Sequence, residues 1–401
     1  MREHNETNET ARRDILVLGA GYAGMSAAVN LGARVKRRDD VRVTVINADE
    51  RFVERLRLHQ VATGQRLAEF DIPELLDGIG VGFVRGRVAA IDPDAKTVRL
   101  DDQRLLRYDS LVYALGGLAD TGRVPGADEH AFTLDGAADA AALAARLDRL
   151  EAGTVVVGGA GLTGIEAAAE IAEQYPRLRV MLLGRDEPGA AIADKPRAYL
   201  RATLDRLGVE VRSDAEVVKV LADSVELADG ESIAADAVLL TSGVRANPVA
   251  AAAGCAVDER GRIVTDATLR SISHPDIYAV GDAAAIEQGY GLMHGTCQSG
   301  MPTGVHAAVC LARELKGKQP KAFRFGYYHT PVSLGRNDAV VQFTKPDSSP
   351  RRWHLTGKRA TWYKETVSSS PWPTFQRMTK FPRSGAIWPS GGRYTRRAGA
   401  R

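Results

Sequence analysis

Twice along the chain, a short unbroken apolar run leads into a glycine-rich turn, an alanine-rich amphipathic stretch and a second apolar run. The first copy begins at residues 14–19 (DILVLG), continues through GAGYAGMSAAVNLGA and closes on residues 41–46. The second begins at residues 154–157 (TVVV), continues through GGAGLTGIEAAAEIAEQY and closes on residues 180–183. Short apolar runs of this kind predict parallel strands buried on both faces, and the stretch between them predicts a helix, so each copy reads as a βαβ unit. A recurrence at about 140 residues is too long for a solenoid and predicts two nucleotide-binding domains of like architecture.

The remaining pattern fills in around these units. Residues 88–100 predict a hairpin and 108–116 a strand, followed by a Gly/Pro-rich crossover. Residues 236–241 predict a strand ending in a second crossover, SGVRANP. Residues 276–282 and a helix over about 303–316 return the chain to the first unit, and strands at 332–334, 340–343 and 353–355 form a small third region. Beyond Ser368, Pro371, Pro373, Pro382 and Pro389 are expected to break every helix. The layout expected is a disordered N-terminus (1–13), a discontinuous first domain (14–118 and 250–320), a second domain (119–249), a C-terminal domain (321–367) and a basic irregular tail (368–401).

Composition narrows the class. The chain is 44% apolar and 26% charged over 401 residues, which excludes a disordered or collagenous chain. Cys255, Cys297 and Cys310 have no paired spacing, which excludes a disulfide framework or a cysteine zinc site and fits a reducing compartment; no metal is expected. There is no signal-peptide pattern or spanning apolar run, so a cytoplasmic protein is expected, with any membrane contact peripheral, at the inner face of the cell membrane. The net charge of +3 hides an asymmetry: the last 51 residues hold twelve Lys/Arg against Glu365 alone, for +11, while residues 1–350 carry −8. All four tryptophans, Trp353, Trp362, Trp372 and Trp388, lie in that basic segment.

The candidate chemistry sits at the glycine turns. Gly19, Gly21 and Gly24, with Tyr22 and Ala23 between them, form a GxGxxG between strand and helix. The first glycine permits the turn, the second lets backbone approach a pyrophosphate, and the third packs helix on strand. The residue expected to meet the ribose about twenty positions on should be acidic, yet the second strand ends at Asn47 with Asp49 close behind, and both are candidates. Gly159, Gly161 and Gly164, with Leu162 and Thr163, form the second copy. Where a carboxylate would select NADH by bonding the ribose 2′-hydroxyl stand Gly184 and Arg185; the missing acid and adjacent guanidinium favour the 2′-phosphate of NADPH over NADH. Alternatively, Arg185 is a surface residue paired with Asp186.

These turns, together with Ala114-Leu-Gly116 and Gly281-Asp282, occur in an order that resembles the two-dinucleotide-binding-domain flavoproteins of the pyridine nucleotide-disulfide oxidoreductase superfamily. The likeness is greatest to the branch of type II NADH dehydrogenases and apoptosis-inducing-factor-like quinone reductases, and covers about residues 14–320. It implies an α/β fold with two Rossmann-like domains, for FAD and NAD(P), in a glutathione-reductase-like arrangement, plus a small C-terminal α+β domain. It implies FAD pyrophosphate on the first turn, with Val88, Ala114 and Gly116 also at the cofactor and Asp282 on the ribitol. Glu166 corresponds to a glutamate beside the flavin–nicotinamide contact, or else serves the helix dipole. Gly243, in Ser242-Gly243-Val244, corresponds to a loop against the nicotinamide, and His59 to the acceptor side of the flavin. Gln298 matches the first glutamine of the quinone-bordering AQxAxQ helix, while Pro302 replaces the second. The CxxxxC of the disulfide-reducing branch is absent from RFVERLRLHQVATGQ, which excludes a dithiol relay.

The function expected is an FAD-dependent NAD(P)H:acceptor oxidoreductase. Hydride passes to the flavin, and electrons then pass to a small-molecule acceptor, a quinone or quinone-like aromatic. Two alternatives are a dedicated FAD enzyme of specialised metabolism and an apoptosis-inducing-factor-like redox sensor with little turnover. Trp353 and Trp362 are expected to pack in the C-terminal domain and the remainder to form a solvated tail, with peripheral membrane docking through the tail as the competing reading. No nucleic-acid partner is expected, and the chain is expected to be a monomer or homodimer.

Overall fold

The structure, a computed structural model, describes residues 12–241 and 243–396. Of the stretch expected to be disordered, residues 1–11 lie outside the described residues, and Arg13 already belongs to the first strand. The first unit consists of β1 (Arg13–Leu18), α1 (Tyr22–Val35), β2 (Val41–Asn47), a short α2 (Leu58–Val61), β3 (Gly82–Arg85) and β4 (Ser110–Tyr113). A second unit follows, with β5 (Gly153–Gly158), α3 (Leu162–Gln174), β6 (Leu178–Leu183), β7 (Glu210–Arg212) and β8 (Ala237–Leu240). The chain then returns through β9 (Ile277–Ala279) and α4 (Cys297–Glu314), and ends in β10 (His329–Ser333), β11 (Ala339–Thr344), β12 (Pro350–Thr356), α5 (Gly357–Ser369) and α6 (Pro371–Lys380).

Both predicted βαβ units form parallel sheets, ordered β9-β4-β1-β2-β3 and β7-β6-β5-β8. Register decides where their ligands can sit. Leu18 pairs with Ile46 on one side and Tyr113 on the other, so the Gly19 turn, Asn47 and Ala114 emerge at one edge. In the second sheet Gly158 pairs with Leu183 and Leu240, bringing Gly159, Gly184 and Thr241 to the equivalent edge. Ligands of open parallel sheets bind at this carboxyl end. The two crossovers pair with each other as an antiparallel ribbon, Gly117–Ala119 against Val244–Ala246.

Three departures from the sequence reading concern the C-terminal half. α4 begins six residues before the expected 303, because Thr296 and Ser299 form a reciprocal capping box and Pro302 is accommodated within the helix. The segment beyond Ser368, expected to be irregular, carries α6. Pro371 and Pro373 fall in its first turn, where N–H groups lack intrahelical partners and a proline costs little, and Pro382 follows its end. The tryptophans are inverted: Trp353 and Trp362 are 78% and 71% exposed, whereas Trp372 is 8% exposed and Trp388 packs against the first domain's core.

The C-terminal segment therefore divides between the two earlier units. Val332, Leu334 and Val340 of the terminal sheet share a core with Ile165 and Ala169 of α3. Trp372, Phe375 and Met378 of α6 join the core of the first sheet. Asn30, buried in α1, anchors that helix by donating to the carbonyl of Pro382 at 2.7 Å.

Candidate functional site

The first cleft opens where the β1 turn meets α1. Gly19 has φ +91°, and a Cβ there would come 2.5 Å from the Ala114 carbonyl oxygen, so only glycine fits. A Cβ on Gly24 would collide with the Gly19 carbonyl, whereas one on Gly21 would meet nothing within 4 Å. Gly21 is the N-cap of α1 and provides no side-chain cap, so the first-turn N–H groups are left for a ligand, and the helix dipole favours an anionic one. The cleft is lined by Gly19, Gly21, Tyr22, Ala23 and Asn47, and from other elements by Val88, Ala114, Gly116, Gly281 and Asp282. Arg51, Arg55 and Arg87 also line it; lone arginines between strands gave no motif to find. Asn47 accepts from Ala20 N at 3.0 Å and donates to the Asp49 carbonyl. Asp49 itself does not line the cleft; its carboxylate accepts from Arg51 N.

The second cleft repeats this geometry. Gly159 has φ +116°, a Cβ on Gly164 would strike the Gly159 carbonyl, and one on Gly161 would meet open space. Gly161 caps α3 without a side-chain bond. Gly159, Gly161, Leu162, Arg185 and Gly243 line the cleft. Thr163 does not, and Gly164 serves helix packing instead. Ser242 lies outside the described residues. Arg185 pairs with Glu216 at 3.9 Å rather than with Asp186.

Glu166 and His59 line neither cleft; both are buried behind α3. Glu166 lies beyond the first helical turn, so it does not serve the dipole at close range. Its Oε1 lies 2.7 Å from Nζ of Lys364 on α5 and accepts from Ser333 N and Oγ at 3.0 and 3.1 Å. Burial pushes the Glu166 carboxyl up, but Lys364, His59 and Ser333 outweigh it and hold the group below its ordinary range. His59 Nδ1 lies 4.0 Å from Glu166 Oε2. Burial above all brings its pKa down to about 4, so the ring is neutral at pH 7. Nothing in the sequence around Lys364, one of twelve Lys/Arg in the last 51 residues, marks it as the partner of Glu166.

Gln298 does not reach the first cleft. It donates to the His329 carbonyl at 3.1 Å and accepts from Tyr328 N at 3.2 Å. A separate cavity opens beside it, lined by Gln298, Met301, Pro302, Tyr328 and His329 and roofed by residues of α6 and the segment after it. Thr296 and Gly300 of the same helix line the first cleft, so the first turns of α4 form a wall between the two. Cys255 and Cys310 are buried free thiols.

Comparison with known proteins agrees with this arrangement. Residues 13–309 match the family model described as pyridine nucleotide-disulphide oxidoreductase. An NADH dehydrogenase-like protein of Mycobacterium tuberculosis is 32% identical over 351 residues, covering 81% of this chain and 86% of the relative. A type II NADH:quinone oxidoreductase of Staphylococcus epidermidis is 28% identical over 397 residues, covering 89% and 94%. In fold, the sulfide:quinone oxidoreductase of Aquifex aeolicus superimposes with a TM-score of 0.76 at 19% identity, covering 94% of this chain and 93% of that one. With its paired glycine-turn clefts and this extent of likeness, the chain belongs to the pyridine nucleotide-disulphide oxidoreductase family.

Proposed function

We propose that the protein is a flavin-dependent NAD(P)H:quinone oxidoreductase that works without a redox disulfide. The observation that carries this is the pair of uncapped helix N-termini at Gly21 and Gly161, each at the carboxyl edge of its own parallel sheet. FAD held along the first cleft would supply the chemistry, accepting hydride from a reduced nicotinamide and passing electrons onward. The Gly19–Gly24 turn and the α1 N-terminus would hold its pyrophosphate, and Asp282 its ribitol. The second turn would hold the nicotinamide's pyrophosphate. The cavity beside Gln298 and His329 would receive the quinone, one helical wall away. Quinone reduction consumes protons as well as electrons, and in this buried cluster the donor would be Lys364, held by the Glu166 carboxylate at 2.7 Å.

Anaerobic mixing of the FAD-loaded protein with NADH or NADPH should bleach the visible absorbance of oxidised flavin, and a short-chain quinone should restore it. No bleaching with either nicotinamide would sink the reading.

The quinone itself would be drawn from a membrane. Tyr328, Trp353 and Pro389 line an apolar surface groove with Arg351, and Tyr328, Pro389 and Ile387 also line the cavity beside Gln298. Trp353 and Ile387 are 78% and 84% exposed, an apolar patch with arginines at its margin, as suits an anionic lipid interface. Among the described residues no helix is long and apolar enough to cross a membrane, so contact would be peripheral. Trp353→Ser with Ile387→Ser should weaken sedimentation with phosphatidylglycerol vesicles about tenfold without slowing flavin reduction. Undiminished sedimentation would exclude this docking face.

A further inference from the structure

In a dinucleotide-binding domain the strand after the glycine turn normally ends in a carboxylate that bonds the adenosine ribose. Here that position is Gly184, and the structure shows why it holds no side chain. A Cβ on Gly184 would come 2.5 Å from the Ala160 Cβ and 3.0 Å from the Ala160 nitrogen. The strand end is pressed against the glycine turn itself.

A carboxylate reaches the same place from another element. Gly184 N donates to the Arg212 carbonyl at 3.1 Å, and Ala215 N donates to the Gly184 carbonyl at 3.0 Å. Asp214 takes a left-handed conformation, φ +56°, and the chain turns so that Glu216 lines the second cleft beside Arg185. The two side chains lie 3.9 Å apart and are 74% and 49% exposed for Arg185 and Glu216.

Asp120, Asp186, Glu187 and Glu216 line the cleft with Arg123 and Arg185, and Glu187 and Asp120 are also paired with Arg201 at 3.6 Å and Arg245 at 3.7 Å. Arg123 is held by Asp120 at 2.7 Å, which leaves Arg185 facing Glu216. A 2′-phosphate would have to take Arg185 from Glu216 and then sit beside that carboxylate. A 2′-hydroxyl can donate to Glu216 while the ion pair stays intact.

We infer that Glu216 is the specificity-determining residue of the nicotinamide site, supplying from a neighbouring loop the ribose-binding carboxylate that Gly184 cannot carry, and so selecting NADH over NADPH. This rests on reading the second cleft as the nicotinamide site, and it reverses the preference that Arg185 alone suggests. Glu216→Gln keeps an acceptor for the hydroxyl but removes the repulsion, while Glu216→Ala removes both and frees Arg185.

The test compares wild type, Glu216→Gln, Glu216→Ala, Arg185→Ala and the Glu216→Ala/Arg185→Ala double variant. Calorimetric binding of 5′-AMP and of adenosine 2′,5′-bisphosphate gives one readout, and kcat/KM with NADH and NADPH the other. Wild type should favour 5′-AMP and NADH, and Arg185→Ala should keep that order. Glu216→Ala should move both ratios toward the 2′-phosphorylated ligand by about ten- to hundredfold, the range for a hydrogen bond to a charged group. Glu216→Gln should move them part of the way, and the double variant should lose most of the gain. An unchanged ratio in Glu216→Ala, or a wild-type preference for the 2′-phosphate that Arg185→Ala abolishes, would overturn the inference while leaving the oxidoreductase reading in place. Failure of every variant to bind either nucleotide would refute the cleft reading and the inference with it.

Discussion

Replacing Lys364 by methionine should destabilise the fold by about 3–5 kcal/mol, because it leaves a buried carboxylate without its counter-charge. Both partners are nearly inaccessible, at 8% and 10% exposure for the Lys364 and Glu166 side chains. Their 2.7 Å contact joins α5 of the C-terminal segment to α3 of the second unit. Ser333 satisfies Oε1 from β10, but a neutral donor cannot replace a charge. In the variant burial loses its largest opponent and faces only Ser333 and His59, so the Glu166 carboxyl is expected to rise above its ordinary range. A carboxyl whose pKa is raised on folding binds more protons folded than unfolded, so stability is lost as pH rises from the unfolded pKa through the folded one. The deficit should therefore be largest near neutrality and shrink in acid. Combining Lys364→Met with Glu166→Gln removes both charges and should recover most of the loss. Urea midpoints for the four members of this cycle, at neutral and acidic pH, check it. A single variant as stable as wild type, or a double variant no better than the single, would contradict the buried-pair account. If the pair also supplies protons to the acceptor, re-oxidation by quinone should slow about 100-fold, and reduction by NADH far less.

The parts of the fold that are legible in the sequence are those governed by local sterics. Gly19 and Gly159 need left-handed backbone, Gly24 and Gly164 need the absence of a Cβ, and apolar runs such as Ile15–Leu18 have no exposed face to hide. Each requirement involves residues a few positions apart. The tail departs from the proline rule because that rule depends on where a helix starts: Pro371 is harmless at the first position of α6 and would be disruptive five residues later. The tryptophans depart from the pattern for a different reason. Trp353 sits on a short strand, which suggests burial, yet it faces outward; Trp372 lies among prolines and is buried by α1 and the Phe52–Phe70 region, more than 300 residues earlier.

The candidate site divides the same way. The glycine turns and Gly281-Asp282 carry their geometry within a few residues, and Gly19, Gly21, Gly159, Gly161, Gly281 and Asp282 line the clefts. Glu166 was singled out but not its partner, because Lys364 meets it only when α5 folds against α3. Gln298 lines a cavity separate from the first cleft, and that separation depends on where the Thr296 capping box starts α4. The pairing of Glu216 with Arg185 depends on the turn at Asp214, which no spacing rule anticipates.

Trp372→Ala should cost about 3–5 kcal/mol, the range for removing a large aromatic from a packed core, and should loosen flavin as well. Trp372 stacks on Phe70 with centroids 4.8 Å apart and 18° between planes, and meets Phe52 at 5.7 Å. Phe52 in turn stands edge-on to Tyr22 at 5.3 Å and 83°. Tyr22 lines the first cleft, so the cavity left by the indole lies one aromatic ring from the wall of the cleft proposed for FAD. Trp362→Ala is the internal control: that side chain is 71% exposed, and its loss should fall within about 0.5 kcal/mol. A chain ending at Ser369 should fare worse than Trp372→Ala, since it also loses Phe375, Met378 and the bond from Asn30 to Pro382. Urea midpoints and the release of fluorescent free flavin on warming measure both effects. A truncated chain that kept wild-type stability and flavin would mean that α6 is an appendage of the first domain rather than part of its core.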